Sequence, residues 1–174
     1  MKTINGFNMA SYLTAKAFVD GHTYGKGVFA RDFIEKGEMV ADFTNGRGII
    51  VNAQHAKKMY DEGFDYSIQI GDDAFFVPTD ASELEDGDYL NHSCDPNLGI
   101  RGSLTLVAMR DIQPNEHVTF DYAMSESAPY SMKCLCKSTF CRTTITGDDW
   151  RIPALQKKYK GYFSDYLQEK INAI

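Results

Sequence analysis

Ten consecutive residues, Asp88-Tyr89-Leu90-Asn91-His92-Ser93-Cys94-Asp95-Pro96-Asn97, restrict what this chain can fold into more than any other stretch. They crowd amide, imidazole, hydroxyl and thiol groups together around one aliphatic side chain, Leu90. A helix here has no apolar face to bury, and Pro96 forbids its continuation. The stretch is therefore an irregular polar segment that the fold must support from outside. Such segments usually carry function.

On either side the sequence breaks into short runs. Strands are predicted at 12–19, 28–30, 39–43, 66–70, 74–77, 98–100, 103–108 and 117–122, separated by glycine-containing or polar turns. A helix is predicted at 51–60, where Asn52 is a candidate N-cap and Ala53, Ala56, Met59 and Tyr60 recur at helical spacing. A second is predicted from about 153 to 171, capped by Asp148 or Asp149. Leu155, Tyr159, Phe163, Tyr166, Leu167 and Ile171 share one of its faces, and Gly161 is its weak point. Residues 80–88 read as an acidic loop or short helical turn, and 125–133 as a polar loop. The pattern is that of a mostly β domain of small sheets with a C-terminal α-helix. Strand–helix alternation is absent, which disfavours a doubly wound fold.

Charge narrows the partners. A formal net charge of −6 argues against nucleic acid or an acidic membrane surface, both of which bind through excess Lys and Arg. It fits a basic partner better. Within residues 1–20, Asn5, Asn8, Ser11, Thr14 and Lys16 interrupt every apolar run, so neither a signal peptide nor a membrane span is expected there. An intracellular, reducing compartment, cytoplasmic or nuclear, is the expectation.

That compartment bears on the four cysteines, Cys94, Cys134, Cys136 and Cys141. Cys134 and Cys136 are too close for an easy disulfide, and a reducing compartment disfavours one. Three clustered thiols with one remote partner suit a closed tetrahedral zinc site, in which the fourth ligand must be Cys94. Free thiols, or Cys94 as a nucleophile beside His92, are the alternatives.

Four segments occur in a fixed order: Gly25-Lys26-Gly27-Val28-Phe29-Ala30, then Asn91-His92-Ser93-Cys94-Asp95-Pro96-Asn97, then 116–122 ending Phe120-Asp121-Tyr122, then Cys-x-Cys-x4-Cys at 134–141. Together they resemble the SET-domain protein lysine methyltransferases that carry a zinc-binding post-SET segment. The resemblance implies a SET domain at 10–125, a post-SET segment at 126–146 and a C-terminal helical extension at 147–174. The implied fold is a β-clip of small sheets with a pseudoknot. It further implies an enzyme that moves methyl groups from S-adenosylmethionine to the side-chain amine of a protein lysine. Tyr24, Gly25, Lys26, Gly27, Tyr66, Asn91 and His92 would bind the cofactor, and Tyr122 would be catalytic. Phe120 and Phe43 would border the substrate lysine. A Phe at 120, smaller than Tyr, favours di- or trimethylation. Cys94, Cys134, Cys136 and Cys141 would hold structural zinc. The partner implied is a basic lysine-containing protein or peptide such as a histone-like tail, without nucleic acid or membrane.

Three positions depart from the family pattern. Asp88 stands where an Arg is usual, Phe43 replaces a channel tyrosine, and Arg142-Thr143 stands where Arg-Gly is common. A catalytically inactive SET-like module that binds a peptide or protein partner is the alternative these departures leave open. No carboxylate general base is evident in the sequence.

Overall fold

The computed structural model describes residues 10–22 and 25–173. Residues 1–9 of the N-terminal stretch, Tyr24 of the glycine turn and Ile174 lie outside them. The chain begins with β1 (Tyr12–Leu13), β2 (Ala17–His22), β3 (Gly25–Ala30), β4 (Met39–Asp42), β5 (Ile49–Val51), α1 (Ala53–Asp61), β6 (Ile68–Gly71) and β7 (Ala74–Val77). It continues through β8 (Asn91–His92), β9 (Leu98–Arg101), β10 (Thr105–Ala108), β11 (His117–Phe120), β12 (Ser131–Lys133), β13 (Thr144–Thr146), α2 (Pro153–Lys158) and α3 (Asp165–Asn172). The sheets are small: β1-β4-β10-β9, β2-β3-β11-β8, β5-β7-β6 and the hairpin β12-β13.

Inward-facing aliphatics explain why these strands pack. Val28, Val40, Leu98, Leu106 and Val118 alternate onto one core shared by the first two sheets, which Ile34 and Ile112 close through an isolated bridge. A satellite core of Ala56, Phe75 and Val77 lies beneath α1, whose first turn is capped as predicted, Asn52 accepting from the His55 N–H at 2.9 Å.

The polar stretch lies along β11. Asn91 and His92 pair in parallel with Thr119 and Phe120, and the Ser93 N–H continues the ladder onto the Phe120 carbonyl. Between these partners the chain crosses into the other sheet, makes the β9–β10 hairpin and returns. Asn97 closes the run as a backbone mimic. It is buried, its Nδ2 donates to the His117 carbonyl and its Oδ1 accepts from the Thr119 N–H, both at 2.9 Å. A polar segment thus obtains its hydrogen bonds from a strand edge instead of water.

Three expectations need correction. The strand predicted at 12–19 is two strands, because Thr14, Ala17 and Lys16 form a turn in which the Ala17 N–H donates to the Thr14 carbonyl. The polar loop at 125–133 ends in β12, an exposed strand whose side chains carry no apolar alternation. The helix expected at 153–171 is broken into α2 and α3. Gly161 adopts φ +84, and the turn it permits lets Tyr159 and Phe163 both bury while the Tyr162 carbonyl accepts from Ile100 N–H. Trp150, 2% exposed, anchors this C-terminal segment in the main core.

Replacing Asn97 with Ala strands the His117 carbonyl and Thr119 N–H inside the protein. A loss of about 2–6 kcal/mol is expected from two orphaned groups at roughly 1–3 kcal/mol each. Denaturant unfolding measures it, and amide exchange at Thr119 is expected to accelerate.

Candidate functional site

Three groups of side chains converge around the junction of β8 and β11. The first is at β3. Gly27 passes so close to its neighbours that a Cβ there would lie 2.8 Å from His117 Nε2 and 3.0 Å from Asn91 Nδ2. Asn91 Nδ2 donates to the Lys26 carbonyl at 2.8 Å, tying the glycine strand to the polar stretch. His117 stacks on Phe29, and its Nε2 is buried with no hydrogen-bond partner among the described residues. Burial, with His22 nearby, lowers His117 to about 4, so the ring is neutral. The Lys26 ammonium lies 4.5 Å from the Tyr89 ring centroid, and Tyr89 meets Tyr66 edge-on at 6.2 Å. Gly25, Lys26, Gly27, Tyr66 and Asn91, distant in sequence, are therefore one neighbourhood. Its bare backbone, flat aromatic surfaces and unpartnered imidazole nitrogen fit a nucleoside-bearing cofactor. Tyr24 lies outside the described residues.

The second group surrounds a cavity of about 420 Å³. Phe43, Tyr66, Phe75, Leu90, Phe120 and Tyr122 are part of its aromatic and aliphatic wall, and α1 contributes Lys57 and Tyr60. Phe120 and Tyr122 face each other with centroids 5.1 Å apart. Burial, then the charges of Asp65 and Glu126, hold the Tyr122 hydroxyl above its ordinary value, so it is a neutral hydroxyl at any physiological pH. Three carboxyl groups, Asp65, Asp88 and Glu126, also line this cavity. Burial raises all three, Asp88 to about 6 and Glu126 to about 7.

Asp88 thereby acquires a structural reason. It is the third residue of a 3-10 turn at Asp86–Tyr89, and its Oδ2 accepts from the Glu85 N–H at 2.7 Å, while its own N–H donates to the Glu85 carbonyl at 3.0 Å. An Arg in that place offers no acceptor for the turn. Gly87, in the same turn, packs against the ring of Phe43.

The third group is the cysteines. The sulfurs of Cys94, Cys134, Cys136 and Cys141 all lie within 4.8 Å of one another, and Cys94 to Cys134 is 3.7 Å. A tetrahedron with metal–sulfur bonds of ~2.3 Å has edges of about 3.8 Å, so the donor set fits a four-coordinate zinc ion. Backbone N–H groups of Arg142 and Thr143 point at the Cys94 and Cys141 sulfurs, each at 3.4 Å. Thr143 adopts φ +62, the left-handed conformation that suits the glycine common there in the family.

His92 joins the second and third groups. Its Nδ1 accepts from the Tyr122 N–H at 3.3 Å, which leaves the ring proton on Nε2, 3.3 Å from the Cys94 sulfur. Burial lowers its pKa to about 4, outweighing the opposing pull of Asp121. The Asp121 carboxylate is wholly buried and takes a forked pair of bonds from Arg142, at 2.6 and 2.7 Å, with a third from the Tyr159 hydroxyl at 3.0 Å. Arg142 also reaches Asp149 at 2.8 Å. This network was not legible beforehand, because a forked ion pair across 21 residues leaves no local pattern.

A fold of this kind and these three groups define a SET-type domain, and comparison with known proteins agrees. The SET domain family profile matches residues 25–123, and the chain belongs to that family. The histone-lysine N-methyltransferase set1 of Dictyostelium discoideum is 30% identical over 132 residues, covering 68% of this chain and 8% of that protein. The histone-lysine N-methyltransferase SETD1B of Homo sapiens is 27% identical over 151 residues, covering 80% and 8%. The H3 lysine-4 specific histone-lysine N-methyltransferase of Schizosaccharomyces pombe is 31% identical over 129 residues, covering 67% and 13%. The chain thus spans about a tenth of the length of these relatives. A humanized mutant of the Chaetomium thermophilum Polycomb Repressive Complex 2 bound to the inhibitor GSK126 shares the fold. Its TM-score is 0.50 at 21% identity, over 64% of this chain and 15% of that one. Among the described residues, no helix is long and apolar enough to cross a membrane.

Asp88 yields a pH prediction. Its folded pKa is raised to about 6 by burial and by Glu85, above the unfolded value, so stability is present at acid pH and is lost as pH rises from about 4 through about 6. Asp88→Asn keeps an acceptor for the Glu85 N–H without the charge. Its melting temperature is expected to exceed that of the unsubstituted protein at pH 8, the gap closing as pH falls toward 4.

Proposed function

We propose that this chain is an S-adenosylmethionine-dependent protein-lysine methyltransferase. The observation that carries the proposal is the meeting of an aromatic-walled cavity, through Tyr66, Tyr89 and Lys26, with a strand whose Gly27 leaves no room for a side chain. Gly25, Lys26 and Gly27 with Tyr66, Asn91 and His92 hold the cofactor, backbone groups supplying most of the contacts; Tyr24 belongs with them by sequence. When bound, the cofactor supplies an electrophilic methyl group on a sulfonium sulfur.

The chain's own residues then have to align an amine and keep it dry. Phe43 and Phe120 flank the aliphatic stem of a substrate lysine, excluding water from it. The Tyr122 hydroxyl, fixed in place because its own backbone is held by His92, orients the amine. Since the reaction moves a positive charge from sulfur to nitrogen and creates little net charge, alignment accounts for most of the rate. Phe120 lacks a hydroxyl, so an amine that already bears methyl groups still fits, favouring di- or trimethylation. Residues 10–125 form the catalytic unit, 126–146 a zinc-binding segment and 147–174 a helical extension that braces both. Cys94, Cys134, Cys136 and Cys141 hold the zinc. The acidic chain and the three carboxyls of the cavity suit a basic protein such as a histone-like tail, in the nucleus or cytoplasm.

Incubation with core histones and methyl-labelled S-adenosylmethionine tests the function directly. Labelled lysine is expected, and Tyr122→Phe is expected to lower the rate by at least about 100-fold, the order of loss that follows misalignment of reacting atoms, with cofactor binding retained by calorimetry. Binding of a peptide by a protein that labels no lysine, in histones or whole-cell extract, supports the inactive module instead.

Removing zinc gives an independent check. Protein stripped by a chelator and verified metal-free is expected to keep its strand signal in circular dichroism while methylation and order at 131–146 are lost. Full activity in metal-free protein contradicts the coupling through Cys94.

A further inference from the structure

Glu126 faces the same cavity and has no part in the function described so far. It follows the Tyr122–Met124 turn, which brings it to the cavity wall within electrostatic reach of Tyr122. Its Oε1 accepts from the Gln69 N–H at 3.2 Å and from the Ser125 hydroxyl at 3.0 Å. Gln69 is itself buried, and its side-chain oxygen takes the Ser127 and Ala128 N–H groups, so the segment carrying Glu126 is fixed to β6. Among the described residues no hydrogen bond reaches Oε2.

Among the described residues no cation is paired with Glu126. The groups that face Glu126 electrostatically are the Asp65 carboxyl and the hydroxyls of Tyr122, Tyr130 and Tyr166. Tyr166 spends its hydrogen on the Ser125 carbonyl, and the Tyr130 hydroxyl is buried without a partner. The one lysine on the cavity wall, Lys57, is bound to Asp61 on its own helix at 2.7 Å. An anion in a largely apolar cavity without a paired cation is costly unless a ligand supplies the cation.

We propose that Glu126 is that ligand's partner: its carboxylate receives the ammonium group of the substrate lysine and takes one of its protons. The inference rests on the methyltransferase function proposed above. An N–H bond of the ammonium breaks, an O–H bond forms on Glu126, and the electron pair left on nitrogen becomes the nucleophile. The proton passes from Glu126 to water when the product leaves. The carboxyl is suited to the exchange, because burial first and Asp65 second push it up to about 7 despite its two hydrogen bonds.

The test compares the unsubstituted protein with Glu126→Gln, using core histones and labelled S-adenosylmethionine across pH 6–10. E126Q preserves the bond from Gln69 but cannot take a proton. A drop of roughly 100-fold in kcat near pH 7.5 is expected, the size typical of a lost proton acceptor, with recovery as alkaline pH deprotonates the lysine directly. A readout free of turnover is the carboxyl band in infrared difference spectra, expected to titrate near pH 7 in the unsubstituted protein and to be missing from E126Q. An active protein in which E126Q shows the same kcat and pH profile overturns the inference and leaves the methyltransferase function standing, as does the absence of a carboxyl titrating near neutrality. If circular dichroism shows E126Q unfolded, Glu126→Asp replaces it: withdrawing the carboxylate by one methylene is expected to lower kcat while the acid limb persists, and an unchanged kcat overturns the inference. Failure of the unsubstituted protein to label any lysine, in histones or whole-cell extract, removes the proposed function and the inference with it.

Discussion

The buried carboxylate of Asp121 cannot exist without Arg142. Asp121 lies between Phe120 and Tyr122 at the end of β11, with no exposed surface, and an uncompensated charge there is destabilising by several kcal/mol. The guanidinium fork cancels it, and because Arg142 follows Cys141 directly, the same contact brings the cysteine hairpin against the polar stretch. Tyr159, just after α2, adds its hydroxyl, and Asp149 receives the Arg142 Nε–H, so separated segments meet around one carboxylate. Bidentate Arg–carboxylate pairing is directional, and a Lys in place of Arg142 has no fork to offer.

From that point the geometry spreads in two directions. Toward the cysteines, His92 contributes an Nε2–H beside the Cys94 sulfur, and the Arg142 backbone contributes another N–H. Toward the cavity, the Tyr122 backbone is pinned by His92 Nδ1, which fixes the phenol among Phe120, Leu90 and Tyr66. The cysteine cluster, the imidazole and the Tyr122 backbone are therefore one hydrogen-bonded unit. The Asn91–Asn97 run pairs its backbone with β11 and leaves its side chains to serve all three.

Much of this was legible in the sequence for identifiable reasons. Gly27 lacks a side chain where Asn91 and His117 crowd the backbone, and Asn52 caps α1 as its amide suggests. The cysteine spacing pointed to one cluster because thiols that close need a shared partner. The β8–β11 pairing was not legible, since two residues carry no periodicity and their partner lies far along the chain. The break at Gly161 was visible only as a weak point, because its cause is the docking of Tyr162 against Gly99. The reason for Asp88 lies in the turn it holds, and Glu126, in a run of Ser, Glu and Ser, belongs by pattern to a polar loop. Burial of a polar residue is decided by what packs over it, and no local pattern records that.

The most direct test of the convergence is a crystal structure with S-adenosylhomocysteine and a lysine peptide bound together. The nucleoside is expected against Gly25–Gly27 and Asn91, with the lysine stem between Phe43 and Phe120 and its nitrogen beside Tyr122 and Glu126. A nucleoside seated away from the glycine strand, or a lysine that never enters the cavity, contradicts the single site built on the β8–β11 junction.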